Sequence, residues 1–272
     1  MSNILNPHRF AAGYDYDLDD DYGIDTTPLL HWDASTLEAV NSASDGSTFS
    51  TWTSREGDAH DLLQATGGTQ FTYEATSSNM NSKPVAYSSD GARLMKTATN
   101  FLPAGTVTMP ITIIMAICYD SVSATQTVFS GKDLTGSHND WFEDFSPRSS
   151  DFYIYAATGG GTGGYLRGSS TNIATGAQII TWELNGASSN FYKELAKSTT
   201  VSGSASGNNP FNWQLIIGAQ HNSATPILTD TEIAEFIVFN EVLSDTTVTS
   251  DTVDGGELHT IISYLKNKYG IS

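Results

Sequence analysis

The chain has little cysteine: Cys118 is the single one among 272 residues. One cysteine cannot close a disulfide within the chain, so a disulfide framework is excluded. Cys118 lies in the apolar run 111–119, which predicts a small buried core residue. A chain of this length buries roughly three quarters of its unfolded surface, so folding needs neither a disulfide nor a structural metal.

Basic residues are also scarce. Twelve Lys and Arg stand against thirty Asp and Glu, which gives a formal net charge of −18 and a pI near 4.4. A field of this sign repels phosphate groups and anionic lipid headgroups. The composition therefore excludes nucleic acid and acidic membrane surfaces as favoured partners.

Secretion and membrane signals are missing as well. The start, MSNILNPHRF, has no basic region followed by an apolar stretch, and no Asn-X-Ser/Thr sequon occurs. The longest nearly unbroken apolar run, 109–119, is much shorter than the roughly 20 residues that span a bilayer. We expect synthesis in a cytoplasm without a signal peptide, and no membrane insertion.

What remains is typical of an all-β protein. Only 15% of residues are charged, 11% are aromatic, and short β-branched and aromatic runs recur between Gly, Asn, Asp and Ser clusters. The run at 111–119 is apolar on both faces and predicts a covered central strand. The predicted strands are Leu29–Asp33, Pro84–Tyr87, Thr112–Tyr119, Thr127–Ser130, Asp151–Ala156, Gln178–Leu184, Asn190–Lys193, Trp213–Gly218 and Glu232–Phe239.

Helical periodicity is clear only near the end. One apolar stripe predicts a helix that packs on the strands and ends at Gly270. A shorter helical turn is predicted at 35–41, with Ser35 as N-cap and Glu38 three residues later. The stripe consists of Leu258, Ile261, Ile262, Leu265 and Tyr269.

The first 27 residues differ from the rest. They contain six acids and one base, a net charge of −5, which predicts an extended acidic arm that does not build a core. We expect it to dock onto a partner or, alternatively, to lie on its own domain, which spans 28–272. The predicted arm contacts are Asn3, Ile4, Leu5, Pro7, Arg9, Phe10, Tyr14 and Tyr16.

Several segments resemble a known family. In chain order they are Leu29–Ser35, Thr51–Gly57 with His60–Leu62, Asn81–Val85, Leu215–Gly218, Glu232–Asn240 with Leu243–Ser244, and Tyr264–Ile271. They look like laminin-G-like domains of the concanavalin A-like lectin/glucanase superfamily. The resemblance covers 28 to the end. It implies a two-sheet antiparallel jelly-roll sandwich with a C-terminal α-helix.

The opening residues, Met1–Gly13, are similar to leaders of such domains in tailed-bacteriophage virion proteins. The resemblance implies a non-enzymatic virion structural protein, displayed on a phage particle as a head decoration, spike or tail-associated protein and attached through its arm. Its partners would be capsid or tail proteins and copies of itself. The alternative is a lectin-like, carbohydrate-binding module that recognises a host-surface glycan, for example at a tail-fibre tip.

A glycoside hydrolase is the least favoured interpretation. Glucanases of this fold place a nucleophile and an acid on one strand face. Asp230 and Glu235 are five residues apart and would point to opposite faces unless a bulge intervenes. Glu232 and Glu235 also belong to the stretch that the laminin-G-like pattern explains. We therefore expect no catalysis.

The segment Lys132–Ser150, interpreted as a loop, combines aromatic and polar residues. Aromatic rings that stack on sugars beside groups that bind hydroxyls would capture a glycan. Contact with another subunit and local packing remain alternatives. The candidate residues are His138, Asn139, Asp140, Trp141, Phe142, Phe145 and Arg148.

Cofactor signals are weak. The six histidines have no zinc spacing. Gly159–Gly164 formally matches G-x-G-x-x-G, but no helix is predicted after it, so it is interpreted as a hairpin loop. The oxygen-rich residues of the 132–150 segment allow a calcium site but match no defined ligand spacing, and solvated loop charge is the alternative. They are Asp133, Asn139, Asp140, Glu143 and Asp144.

Overall fold

A computed structural model describes residues 26–56, 60–89, 91, 93–98, 110–122, 126–133, 141–148, 151–158, 162–168, 173–185, 188–197, 213–219, 228–243, 248–249, 252–253 and 256–272. At 132–133, 141–148, 151–153, 155–158, 162–168, 213, 248–249 and 252–253 it describes the backbone alone.

The described residues form short and long strands, two α-helices and two 3₁₀ turns. The strands are β1 (Leu30–Asp33), β2 (Thr51–Trp52), β3 (Leu62–Leu63), β4 (Thr72–Ser77), β5 (Lys83–Ser88), β6 (Met95–Thr97), β7 (Ile111–Tyr119), β8 (Phe129–Asp133), β9 (Trp141–Arg148), β10 (Asp151–Thr158), β11 (Thr162–Gly168), β12 (Gly176–Leu184), β13 (Asn190–Lys193), β14 (Ala196–Lys197), β15 (Trp213–Ile217), β16 (Thr231–Phe239), β17 (Val248–Thr249) and β18 (Thr252–Val253). The helices are α1 (Leu37–Asn41) and α2 (Gly256–Tyr269), and the 3₁₀ turns are Ala34–Thr36 and Gly67–Thr69.

Two antiparallel sheets face each other. Sheet A has the order β17-β18-β14-β13-β12-β7-β16-β5-β4, and β1 pairs with β16 beside β5. Sheet B has the order β11-β10-β9-β8-β15-β6-β3-β2. Neighbours distant in sequence, such as β7 between β12 and β16, are typical of a jelly roll rather than a simple meander. The predicted all-β jelly-roll-like sandwich is confirmed.

The main core fills the space between the sheets. Its large aromatic residues are fully buried and come from both sheets, and Phe129 and Phe236 meet edge to face with ring centroids 5.3 Å apart. Burial of each such side chain contributes roughly 1.5–3 kcal/mol. They include Trp32, Trp52, Trp182, Phe129, Phe191 and Phe236.

Helix α2 covers the outer face of sheet A and creates a second core. All five residues of its predicted apolar stripe are buried there, against residues such as Ile114, Cys118 and Ile237. Gly270 has φ +66° and ends the helix, and the Ile271 amide donates to the Lys266 carbonyl at 2.9 Å. The predicted helix and its stop are confirmed. The layers are therefore α2, sheet A and sheet B.

Strand β7 is the covered central strand that the sequence predicted. All nine of its residues are buried, because the main core lies on one face and α2 on the other. Cys118 is buried on the α2 side, and burial raises its thiol pKa to about 12. The prediction of a core cysteine is confirmed.

The helical segment at 34–41 differs from the prediction in its cap. It begins with a 3₁₀ turn, and the Asp33 carboxylate accepts a hydrogen bond from the Ser35 amide at 2.7 Å. Asp33, not Ser35, is therefore the N-cap residue, because it ends β1 in an extended conformation with its side chain in reach of the first free amides. In the described part of the chain, no helix is long and apolar enough to cross a membrane.

Candidate functional site

The face of sheet B that points away from the core can be assigned from one residue in β10. Ile154 is fully buried in the core between the sheets. Successive strand residues alternate between faces, so Tyr153 and Tyr155 lie on the opposite, outer face. Residues that pair directly across neighbouring strands share a face, which extends the assignment to β9 and β11.

The register divides the outer face of these three strands into rows. The rows are Trp141–Ala157–Gly163, Glu143–Tyr155–Tyr165 and Phe145–Tyr153–Arg167. Each row contains at least one aromatic residue. We call Trp141, Phe145, Tyr153, Tyr155 and Tyr165 together the aromatic face.

A residue of β8, the strand next to β9 on the side away from β10, supports the same assignment of the outer face. Phe129 in β8 is buried in the main core, so Ser130 lies on the outer side, and Ser130 pairs with Glu143. The Ser130 hydroxyl is buried and donates to the Ala219 carbonyl at 2.7 Å. The chain near Ala219 therefore covers sheet B at β8 and bounds the aromatic face there, whereas β11 is the last strand of the sheet.

The predicted loop at 132–150 is wrong over 141–148, because these residues form β9 between β8 and β10. The strand places Trp141 and Phe145 on the outer face but Phe142 on the inner face, where it pairs with Ala156. Alternation along a strand separates the three aromatics that sequence proximity had grouped together.

Other residues of that candidate group have different outcomes. Arg148 is the last residue of β9 and pairs with Asp151. His138, Asn139 and Asp140 lie outside the described residues. A contact of any member of the group with a glycan or another subunit stays a prediction.

Sequence reasoning missed the partners of Trp141. Tyr153, Tyr155, Tyr165 and Arg167 join it only through strand pairing. The alternation of tyrosines around Ile154 is the one local signal that could have indicated a strand with an aromatic side. Nothing local in the sequence indicated which strands lie next to it.

The candidate calcium residues are divided by β9. Glu143 lies on the outer face, and Asp144 lies on the inner face because it pairs with Ile154. Asp133 ends β8 and pairs with Trp213. Asn139 and Asp140 lie outside the described residues, so a calcium site formed by this group stays a prediction.

A buried charge cluster lies on the other side of the sandwich, beneath α2. The Lys268 ammonium contacts Glu235 Oε1 at 2.5 Å and Asp33 Oδ2 at 3.0 Å. His31 Nε2 lies 2.9 Å from Glu235 Oε2, and the Tyr269 hydroxyl donates to Glu235 Oε1 at 2.7 Å. The charge cluster therefore ties β1, β16 and the end of α2 together.

Alternation in β1 supplies two members of the charge cluster. Leu30 and Trp32 enter the core between the sheets, while His31 and Asp33 lie on the α2 side. Both polar residues are buried, and a buried polar side chain is destabilising unless its polar atoms have hydrogen-bond or ion-pair partners. The sequence pattern Leu-His-Trp-Asp indicated this alternation, but not the partners.

A β-bulge in β16 supplies the third member. Ile233 pairs with Ile117, and Glu235 pairs with the next residue back, Ala116, so Ala234 is an extra residue. Ala234 and Glu235 consequently both lie on the α2 side. Without the bulge, strand alternation would point Glu235 into the apolar core.

A second cation completes the cluster. Arg55 Nη2 contacts Asp33 Oδ2 at 2.5 Å, and the Trp52 indole donates to the Asp33 carbonyl at 3.2 Å. Two carboxylates, Asp33 and Glu235, thus face two permanent cations, Arg55 and Lys268. Formal charge balances within the cluster, as buried ions require.

Ionisation follows from these contacts. Burial by itself would raise the pKa of Glu235, but the Lys268 ammonium and the hydrogen bond from His31 outweigh it and hold that pKa well below its ordinary value. Burial would lower the pKa of Lys268, but the Glu235 and Asp33 carboxylates outweigh it and raise that pKa. The ion pair therefore persists at neutral pH.

The charge cluster contains ligand types that suit a metal. Donor atoms of His31, Asp33 and Glu235 lie within 4.8 Å of one another. The Lys268 ammonium, however, already lies between the two carboxylates and supplies the positive charge that a cation would bring. The arrangement is chemically an ion-pair network that fixes α2 to the sheet.

Two of the three carboxylates considered for glycoside hydrolysis, Glu232 and Glu235, are enclosed, whereas Asp230 is half-buried. Glu232 is buried and accepts hydrogen bonds from Ser77 Oγ at 2.5 Å and Asn79 Nδ2 at 2.8 Å. The spacing argument against Asp230 and Glu235 applied only to a strand without a bulge, and β16 does contain one between them. Glu235 is nevertheless fully buried beneath α2. Neither carboxylate is placed where a sugar bond could reach it without displacement of these partners.

Two further predictions concern segments at the margins of the described chain. Residues 1–25, with all the predicted arm contacts, lie outside the described residues. The Thr26 hydroxyl donates to Glu257 Oε1 at 2.6 Å, so the chain enters the described part beside α2. The G-x-G-x-x-G match ends inside β11 (Thr162–Gly168), so Tyr165–Gly168 continue a strand and no helix begins there.

Solved structures share the architecture at low sequence identity. Domain 4 of AbnA, an extracellular arabinanase from Geobacillus stearothermophilus in complex with arabinotriose, has a TM-score of 0.51 and 10% identity, over 89% of this chain and 98% of that one. This likeness shows the fold, a jelly-roll-like β-sandwich.

Two weaker likenesses cover about half of the chain. NanB sialidase from Streptococcus pneumoniae has a TM-score of 0.42 and 15% identity, over 53% of this chain and 24% of that one. The CBM40 domain of the Ruminococcus gnavus IT-sialidase has a TM-score of 0.40 and 14% identity, over 50% and 78%. The chain thus spans about a quarter of the NanB length. No protein-family model and no curated protein matches the sequence.

Proposed function

We propose that this protein is a non-enzymatic glycan-binding module whose aromatic face contacts the sugar. The observation that supports the proposal is the register of β9, β10 and β11, which brings together aromatic residues from three strands on one outer face. Outward apolar groups in contiguous patches are typical of binding sites.

The chemistry of the face suits a carbohydrate. A sugar ring has apolar C–H faces and hydroxyl edges, so its recognition needs flat aromatic groups beside a few hydrogen-bonding groups. Glu143 and Arg167 lie in the same rows as Tyr155 and Tyr153. A carboxylate accepts hydrogen bonds from hydroxyls, and a guanidinium donates to their oxygens. The rows therefore combine both requirements.

The fold comparison gives a reason to choose the first ligands to test. The arabinanase domain of the same architecture was solved with arabinotriose. At 10% identity this likeness does not extend to a ligand. Arabino-oligosaccharides are nevertheless a sensible starting series beside xylo- and cello-oligosaccharides.

The proposal excludes hydrolysis at β16. Glu232 is held by Ser77 and Asn79, and Glu235 is held by Lys268, His31 and Tyr269. A general acid or nucleophile must contact the glycosidic bond. These carboxylates instead serve the packing of the sheet and α2.

Display on a virion through residues 1–27 is a second proposal, compatible with the first. What supports it is that Thr26, the first described residue, contacts Glu257 on α2, whereas β9, β10 and β11 lie in sheet B. Incorporation of wild-type and Δ1–25 protein into particles tests this proposal.

Glycan binding is tested by affinity electrophoresis in gels that contain soluble polysaccharides and on a glycan array. We expect retardation of the wild type by at least one polysaccharide and its loss in Trp141→Ala. Leu63→Ala is the matched control, because Leu63 is exposed on the same side of sheet B at the distant strand β3. If Trp141→Ala binds like the wild type, or disrupts only self-association in size-exclusion chromatography, the proposal is wrong.

A further inference from the structure

We infer that the charge cluster beneath α2 is built as a metal-type site, in which the Lys268 ammonium takes the place of a divalent cation such as Zn²⁺. The side chains that form it belong to β1, β16 and α2. This site is separate from the aromatic face and independent of the proposed glycan binding.

Pairing between β1 and β16 brings the donor groups together. Asp33 pairs directly with Glu235, and His31 lies two residues before Asp33 on the same face of β1. Their donor atoms lie within 4.8 Å of one another. One imidazole nitrogen and two carboxylates are ligands that Zn²⁺ and other first-row divalent ions accept. Two hydrogen-bonded strands hold these ligands in place, as a metal site requires.

The Lys268 ammonium lies between the two carboxylates. Its Nζ is 2.5 Å from Glu235 Oε1 and 3.0 Å from Asp33 Oδ2. Both carboxylates are fully buried, so their charges need a cation within the protein. An ammonium is a compact point charge and supplies it. Removal of the lysine side chain would therefore leave a buried, negatively charged space beside three metal-type ligands.

Neighbouring groups fix the orientation of the carboxylates. The Tyr269 hydroxyl donates to Glu235 Oε1 at 2.7 Å, and the Ser35 amide donates to Asp33 Oδ1 at 2.7 Å. Hydrogen bonds of this kind orient metal ligands. Arg55 contacts Asp33 Oδ2 and would oppose a metal ion at that oxygen. The carboxylates are therefore oriented toward the ammonium, and Arg55 lowers the affinity that a metal ion would have in its place.

The use of a lysine instead of a metal ion has a consequence for α2. Lys268 belongs to α2, so the helix itself carries the cation that compensates the carboxylates of the sheet. A free metal ion would compensate the same charge without the helix. We therefore expect the wild-type cluster to bind no metal ion, because its cation is already in place and serves the docking of α2.

Lys268→Ala tests the inference, because alanine removes the charge and also opens the space that the ammonium fills. Co²⁺ is the first probe, since its visible absorption reports nitrogen and oxygen ligands, and isothermal titration calorimetry with Zn²⁺ gives the affinity. We expect each Lys268→Ala molecule to bind one ion more than the wild type does. At a free Zn²⁺ concentration about 100 times Kd, the melting temperature of the variant should rise by roughly 5–10 °C. The wild type should show no such rise.

Lys268→Met is the matched control, because it removes the same charge but keeps the space filled by an unbranched side chain. It should bind the ion at least about tenfold more weakly than Lys268→Ala. The double variant Lys268→Ala/Glu235→Gln should lose a factor of about 10–100, because an amide replaces one ligand. If Lys268→Ala is unfolded without metal, Zn²⁺ should restore its far-ultraviolet circular dichroism.

A folded Lys268→Ala protein that binds no more Co²⁺ than the wild type would overturn the inference. An unfolded Lys268→Ala protein that Zn²⁺ does not refold would overturn it as well, and so would equal metal binding by Lys268→Ala and Lys268→Ala/Glu235→Gln. These outcomes leave the proposed glycan binding intact, because the Trp141→Ala experiment tests it separately.

Discussion

Replacement of Lys268 by methionine tests the role of the buried charge cluster. Methionine keeps an unbranched apolar side chain of similar length but removes the ammonium that contacts Glu235 at 2.5 Å and Asp33 at 3.0 Å. Lys268→Met therefore leaves two buried carboxylates with one permanent cation, Arg55. The variant should remain folded but be markedly less stable.

The size of the loss follows from the burial of the partners. Removal of one member of a buried ion pair costs about 3–5 kcal/mol, because the remaining charge stays out of water without compensation. Arg55 still contacts Asp33, and His31 and Tyr269 still contact Glu235, so we expect the lower end of that range. For a domain of this size, each kcal/mol shifts the melting temperature by about 2–4 °C, which gives a decrease of roughly 6–12 °C.

The pH dependence has a definite sign. Because the folded-state pKa of Glu235 lies well below its ordinary value of 4.5, its ion pair stabilises the wild type above that pH. The stabilisation is lost progressively as the pH falls below 4.5 toward the folded-state pKa. Loss of Lys268 removes the main cause of the lowered Glu235 pKa. The difference in the free energy of unfolding between wild type and Lys268→Met should therefore be largest near pH 7 and shrink toward pH 3.

Urea unfolding followed by tryptophan fluorescence between pH 3 and 8 measures both effects. Lys266→Met is the control, since Lys266 lies two residues earlier and roughly 200° around α2. The double variant Lys268→Met/Glu235→Gln should recover part of the lost stability, because it removes the uncompensated charge. A Lys268→Met protein within 1 kcal/mol of wild type at pH 7, or a difference that grows toward pH 3, would refute the argument.

Four further predictions follow from the same structure. Phe142→Ala should lower the melting temperature more than Trp141→Ala, since a core Phe→Ala change costs about 3–5 kcal/mol; the reverse order in calorimetry would contradict the face assignment. Cys118 should resist alkylation by iodoacetamide at pH 8 until the protein is unfolded, because burial raises its pKa to about 12, and rapid labelling of the native protein would contradict this. Deletion of residues 1–25 should leave the melting temperature unchanged, because the described residues from Leu30 onward already build a closed core between the sheets; a clear decrease would show that the arm packs on its own domain. Purified protein should release no reducing sugar from β-glucans, and turnover that Glu232→Gln abolishes would establish an enzyme.

Much of the fold could be predicted because its signals are local. The apolar stripe in 258–269 specified α2, and the doubly apolar run at 111–119 specified a central strand covered on both faces. The hydrophobic periodicity of a helix or strand indicates how many of its faces are buried. That information is present in each segment before any partner is known.

The candidate site was predicted only in part. Trp141 and Phe145 were identified as aromatic candidates, but Phe142 was grouped with them because all three are close in sequence. Strand alternation separates them, and the segment was not recognised as a strand since its acids, serine and proline are untypical of one. Their contact with a ligand remains to be tested.

The sequence by itself determined the fold class, the terminal helix, the buried cysteine and the net charge, all of which depend on composition and local periodicity. Only the tertiary structure decided which strands are neighbours. It placed Tyr155 and Tyr165 beside β9, and a one-residue bulge at Ala234 turned Glu235 from the core toward Lys268. The physical reason is that strand register and bulges depend on pairing between distant segments, and a shift of one residue exchanges the two faces of a strand.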